Sequence, residues 1–215
     1  MKKIVIMLMA LLTTAQGFSQ NEAGRWTITP KAGVNWSNRT EGDIYYGTGL
    51  DEKVKHSSRR GFAIGAEAEY FVHQNAGISA GLIYSQQGCD YDDAPQVWKD
   101  TKLKLDYLNI PVMVHCYPVE HFGLQVGMQP GFLVRKKLSG EEYYSEENRS
   151  GYRSFETNVT FMRNFDLSIP VGVSFDLDYL RLEFRYCFGI YDTTKIDPKE
   201  HNNTAQLTIG YRFRL

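Results

Sequence analysis

Eight stretches of this chain place apolar side chains at every second position, and after residue 20 no stretch carries a competing helical period. In the first, residues 26–37, one face collects Trp26, Ile28, Pro30, Ala32, Val34 and Trp36. The others run over 60–72, 76–87, 103–117, 122–135, 161–176, 180–191 and 204–215. Period two repeated in this way predicts an all-β chain. The connections alternate in length. Those near residues 73–75, 118–121 and 177–179 are tight, whereas 38–59, 88–102, 136–160 and 192–203 are long and polar. Short turns at one end and long loops at the other predict an eight-stranded antiparallel up-and-down transmembrane β-barrel.

Side-chain parity tells which face meets lipid. The face opposite the apolar one carries Gly33, Gly65, Gly77, Gly81, Gly127 and Gly172, together with ionised side chains of both signs. A narrow barrel interior needs glycine to make room for long side chains, and opposite charges pair inside it. On a lipid face each Arg or Lys would cost about 2–4 kcal/mol at mid-bilayer. The apolar face is therefore read as outward, and Lys31, Glu67, Glu69, Glu183, Arg185 and Arg212 as a structural polar network in the lumen. Trp26 and Trp36 are ten residues apart. At ~3.3 Å per residue and ~40° tilt they span about 25 Å, the height of an outer-membrane apolar band. With Tyr70, Tyr84, Phe122 and Phe175 they are expected to form an aromatic girdle.

The two ends of the chain agree on compartment. Lys2 and Lys3 precede a short apolar run over residues 4–12, and small residues at Gly17 and Ser19 suit cleavage after Ser19. Residues 1–19 thus read as a cleaved signal peptide and 20–215 as the barrel. No Cys stands at the cleavage point to carry a lipid anchor. At the other end, Thr208, Gly210, Phe213 and Leu215 form the terminal-strand pattern by which the barrel-assembly machinery recognises its clients. Both mature termini are expected in the periplasm and the long loops outside the cell.

The remaining composition narrows the function classes. The full chain has 24 basic and 25 acidic residues; without Lys2 and Lys3 the balance is 22 against 25, a net charge of about −3. No basic patch invites nucleic acid. Cys89, Cys116 and Cys187 fall at different heights, and no internal disulfide is expected. The five histidines form no recognisable metal constellation, and no cofactor is expected. Two features resist the barrel reading. Pro30, Pro111, Pro130 and Pro170 lie inside strands and should mark bulges or locally unpaired positions. Leu103, Leu105 and Tyr107 take the lumen parity, which predicts a bulge near Asp106 or a strand top above the membrane.

Lys31-Ala32-Gly33-Val34-Asn35, Tyr107-Leu108-Asn109-Ile110-Pro111 and the Gly-Tyr-Arg-Phe ending resemble the small outer-membrane barrels named after PorT. The resemblance spans roughly residues 26–215, with Asn109 where that family commonly has an acidic residue. It implies a fold and an outer-membrane location, and transfers no catalytic residues. A namesake member is associated with protein secretion.

The leading expectation is a non-enzymatic integral outer-membrane protein with a structural, envelope or loop-mediated binding role. Its partners would be outer-membrane lipids, the assembly machinery and an unidentified extracellular or periplasmic protein. Eight strands leave a lumen that side chains fill, so no open pore is expected. An alternative is a lipid-modifying hydrolase built on His56-Ser57-Ser58 with Asp51 or Glu52, a spacing common by chance. A secreted, lipocalin-like ligand carrier would need the apolar face inside, against the charges and glycines. The runs Glu141-Glu142-Tyr143-Tyr144-Ser145-Glu146-Glu147 and Asp90-Tyr91-Asp92-Asp93 read as solvated loops with tyrosines suited to contacts.

Overall fold

The computed structural model describes residues 23–40, 44–46, 52–146, 149–195 and 199–215. The expected signal peptide lies outside the described residues. The strands are, in chain order, β1 (Trp26–Thr40), β2 (Ile44–Tyr46), β3 (Glu52–Val54), β4 (His56–His73) and β5 (Ala76–Tyr91). They continue with β6 (Trp98–Asn109), β7 (Val112–Val119), β8 (Phe122–Glu146) and β9 (Arg149–Asn158). β10 (Phe165–Leu177), β11 (Leu180–Gly189), β12 (His201–Tyr211) and β13 (Phe213–Arg214) complete the chain.

Antiparallel pairing runs from β1 to β4 and β5, then to a wall shared by β6 and β7, and on through β8, β10, β11 and β12. β12 and β13 pair back onto β1, closing an eight-walled ring. Closure removes the unpaired strand edges that lipid would not solvate. No described helix is long and apolar enough to cross a membrane. β2 and β3 form a separate hairpin, and β9 extends the sheet from β8.

Three two-residue connections, 74–75, 120–121 and 178–179, make one end of the barrel. His121 (φ 66°) and Asp178 (φ 51°) adopt left-handed backbone there, the hand that matches the twist of tight hairpins. Alternation is regular through the belt between this end and the loops. Val114, Val126, Ile64 and Leu182 point outward and are about half exposed, while Gln125, Glu67 and Glu183 point inward and are buried.

The prolines behave differently from a bulge. Register is unchanged on either side of each one. Pro111 simply separates β6 from β7, and the ladder skips the neighbourhoods of Pro30 between β1 and β12 and of Pro170 between β8 and β10. The missing N–H is absorbed by a short ladder gap. A register shift does fall between Asp106 and Tyr107, with the extra residue, Val134, on β8.

The long connections also differ from expectation. Where 88–102 and 136–160 read as loops, β5 continues to Tyr91, β6 starts at Trp98, β8 runs to Glu146 and β9 returns beside it. The wall therefore rises well beyond the apolar belt on this side. The strand expected from 161 begins at Phe165, because residues 159–162 turn inward instead. Val159 and Met162 join Cys89, Leu103, Leu105 and Tyr107 in a buried apolar cluster, covered by Tyr91, Leu133, Leu138 and Phe161. This plug is why β6 carries apolar residues at lumen parity.

Candidate functional site

The lumen beneath the plug is organised in two charged tiers. Lys31 on β1, Glu67 on β4, and Glu183 and Arg185 on β11 all fall at inward parity and meet across the barrel. Lys31 Nζ lies 2.8 Å from Glu67 and 2.9 Å from Glu183. Arg185 donates to both oxygens of Glu67 at 2.8 and 3.1 Å, and lies 2.7 Å from Glu183. It also donates to Gln125 Oε1 at 3.0 Å.

The second tier lies closer to the short turns. Arg181 donates to Glu69 at 2.8 Å and to Asp176 at 2.7 and 3.0 Å, and Arg212 lies 2.8 Å from Asp176. The Tyr117 hydroxyl accepts from Arg181 at 2.8 Å and donates to Glu69. Each tier holds two cations and two carboxylates, all buried, so each is neutral as a unit. Charge-assisted bonds of this number are what offset the desolvation of buried ions. Gly77 and Gly81 stand where a Cβ would collide with Glu69 and Glu67, so their absence of a side chain makes room for the carboxylates.

Of the six residues expected in the network, Lys31, Glu67, Glu183 and Arg185 share the first tier, and Glu69 and Arg212 the second. Asp176 and Arg181 join the second tier beyond the six expected residues, and Tyr117 and His115 also face the lumen. His115 Nε2 lies 2.8 Å from Ser79 Oγ. Lumen parity was the signal available for all four.

At the loop end, Asn35 donates to Ser85 Oγ at 2.7 Å, Gln87 donates to the same oxygen at 2.9 Å, and Asn202 bonds Gln87. Arg39 then ties the polar lumen to the plug. It pairs with Glu200, and donates to Thr193 Oγ1 at 3.3 Å and to Met162 Sδ at 3.1 Å. Burial raises the Glu200 carboxyl above its ordinary value, against the pull of Arg39. Backbone bonds from Arg163 to Thr193 and from Lys195 to Phe161, both 2.9 Å, hold the plug segment against the last loop.

On the outer surface, Trp26 and Tyr70 face each other with ring centroids 5.0 Å apart, and Phe122 and Phe175 are cross-strand neighbours. These four mark the short-turn end. Trp36 and Tyr84 lie towards the loops, and the Tyr84 hydroxyl donates to Asp106 at 2.8 Å. Thr208 and Gly210 point inward, whereas Phe213 and Leu215 are exposed on the outer face. All three cysteines are free, Cys116 facing outward and Cys89 and Cys187 buried. His56 Nδ1 lies 2.9 Å from Asn38 Oδ1, and the Ser57 hydroxyl reaches the Asp90 carbonyl at 3.5 Å. Neither of these contacts joins His56 to Ser57; Asp51 and the Glu52 side chain lie outside the described residues. No group of three or more metal-ligating side chains is found among the described residues.

A closed ring with an apolar outside and a salt-bridged inside is a membrane barrel. A family model described as "Outer membrane protein beta-barrel domain" matches residues 18–195. The chain belongs to that family. It is therefore an integral outer-membrane protein, and its apolar belt faces lipid. Among solved structures it is similar to OprG of Pseudomonas aeruginosa, at 12% identity over 90% of this chain and 98% of that one (TM-score 0.49). It is also similar to Ail, the attachment invasion locus protein of Yersinia pestis, at 16% identity over 89% and 100% (TM-score 0.48). Neisserial surface protein A matches at 13% identity over 88% and 97% (TM-score 0.46). No curated protein matches the chain.

Proposed function

We propose that this protein is a non-catalytic outer-membrane barrel whose membrane belt is a scaffold and whose loop end is the working surface. The observation that carries this reading is the pair of neutral, buried charge tiers. Their charged side chains pair with one another across the lumen, so in this reading they act as a core holding the walls together rather than as a path for ions. The two-residue turns favour a periplasmic short end with both termini, and extracellular long loops, as in other small barrels. The terminal strand with Thr208, Gly210, Phe213 and Leu215 would engage the assembly machinery, and the aromatic girdle would sit at the lipid headgroups. Kinship with the PorT-named barrels is supported by the Lys31–Asn35 and Tyr107–Pro111 stretches; a secretion-associated role would follow from it by analogy alone.

The test combines outer-membrane fractionation, gel mobility of boiled and unboiled samples, protease treatment of intact cells, and planar-bilayer recording. The expected result is a heat-modifiable outer-membrane protein, cut from outside in its long loops, that gives no stepwise conductance. Ion conductance blocked by occluding the lumen would overturn the scaffold reading.

A further inference from the structure

Above the lipid belt, the tall wall encloses a cavity of about 420 Å³ that the charged lumen does not include. Its walls are Tyr91, Trp98, Leu138, Phe155 and Phe161. Tyr91, Leu138 and Phe161 are the outer layer of the plug, so the cavity floor is the apolar cluster itself. The Trp98 indole is held by donating to the Asp92 carbonyl at 3.2 Å. One carboxylate lines the cavity, Glu142. The Thr101 hydroxyl lies in the same wall, buried and without a hydrogen-bond partner among the described residues.

We infer that this cavity binds a small organic cation with an apolar body, seated on the aromatic walls with its charge against Glu142. The volume lies within the range of small-molecule sites, which are mostly apolar with a few placed polar groups. Aromatic faces attract cations as well as apolar surface, and a carboxylate at the same site selects positive over negative charge. The molecule supplies its own stand-in. Arg153 on β9 approaches Glu142 to 3.4 Å with a side chain that is 78% exposed. An exposed pair of this kind is worth little and is readily exchanged. A ligand would take that place while gaining the apolar walls.

The inference rests on the loop end being the water-exposed working surface. The protein is placed in lipid nanodiscs with Trp26→Phe and Trp36→Phe, which leaves Trp98 as the emitting tryptophan, and titrated with benzyltrimethylammonium. A saturable change in Trp98 emission is expected, with affinity at least tenfold weaker in Glu142→Gln and several-fold tighter in Arg153→Gln, where the internal competitor is gone. Benzylsulfonate should produce no saturable change. Each variant is shown to be folded by its heat-dependent gel shift. Absence of saturation with the cation, equal binding of the sulfonate, or indifference to Glu142→Gln would each overturn the proposal. Protease cutting of the long loops from the periplasmic side would instead overturn the orientation reading beneath it.

Discussion

The wall made by β6 and β7 passes through two environments and reverses its polarity on the way. In the lower part, Val112, Val114 and Cys116 face outward to lipid, and Met113, His115 and Tyr117 face the interior with its charges. In the upper part the same inward parity carries Leu103, Leu105 and Tyr107, all fully buried, and the outward parity carries Lys102 and Lys104. The inward direction has not changed; the medium outside has. Surrounded by hydrocarbon, the barrel puts its polar groups inside, where they pair. Surrounded by water, it builds an ordinary apolar core. The crossover lies at Tyr107 and Leu108, beside the β8 register shift and beneath the Tyr84–Asp106 bond.

Substitutions in the two regions test this comparison, a charge being the sensitive group below the crossover and an apolar side chain above it. The largest effect is expected from Arg185→Ala, which leaves Glu67 and Glu183 with Lys31 as their remaining partner. A loss of about 3–5 kcal/mol in urea unfolding from vesicles is expected, as for a broken buried ion pair, with no new conductance. Unchanged stability with altered conductance would show the tiers to be a conduction path. Next is Leu105→Ala in the plug, expected to lose about 2–5 kcal/mol through lost burial and a residual cavity. A loss below about 0.5 kcal/mol, the scale of a surface change, would mean that the upper core is not packed.

The outward face gives a sharper contrast. Val114→Arg should cost about 2–4 kcal/mol if that position lies deep in lipid. Lys104→Leu, on the same outward parity above the crossover, should stay within about 0.5 kcal/mol. Equal costs at the two positions would place the membrane boundary elsewhere. The smallest effect concerns pH. A hydrogen bond and the charge from Lys137 hold the Glu156 carboxyl below its ordinary value, with Lys104 adding to the pull. A depressed folded-state value means that the stabilisation is present above the unfolded-state value and fades as pH falls through the folded one. Protection of β9 amides from hydrogen exchange should therefore weaken slightly on acidification, once intrinsic exchange rates are allowed for, and Glu156→Gln should remove that dependence.

The belt was legible because period two is an unambiguous code wherever the two faces of a strand meet different media. Lys31, Glu67 and Arg185 could be assigned to the lumen from parity. Their division into tiers could not, because it depends on the relative heights of strands far apart in sequence, 152 residues in the case of Lys31 and Glu183. The upper strands escaped detection for the complementary reason. Residues 139–145 are half-buried or exposed on both faces and most of β9 is exposed on both, so hydrophobicity does not alternate, and they read as loop. The plug was missed because Val159 lies in an apparent loop and Phe161 and Met162 read as the start of a strand, whereas all three pack into or against the inner cluster.

By itself, the order of residues determined the eight walls of the barrel, the outward face, the six charged residues of the lumen network and the end at which the turns are short. These follow from local alternation and from the penalty lipid places on unpaired polar groups. Only the tertiary structure decided which charges neutralise one another, where the inside-out belt gives way to a water-type core, and that an aromatic cavity opens above it. Those outcomes depend on barrel closure and register, which bring side chains from distant strands to the same height.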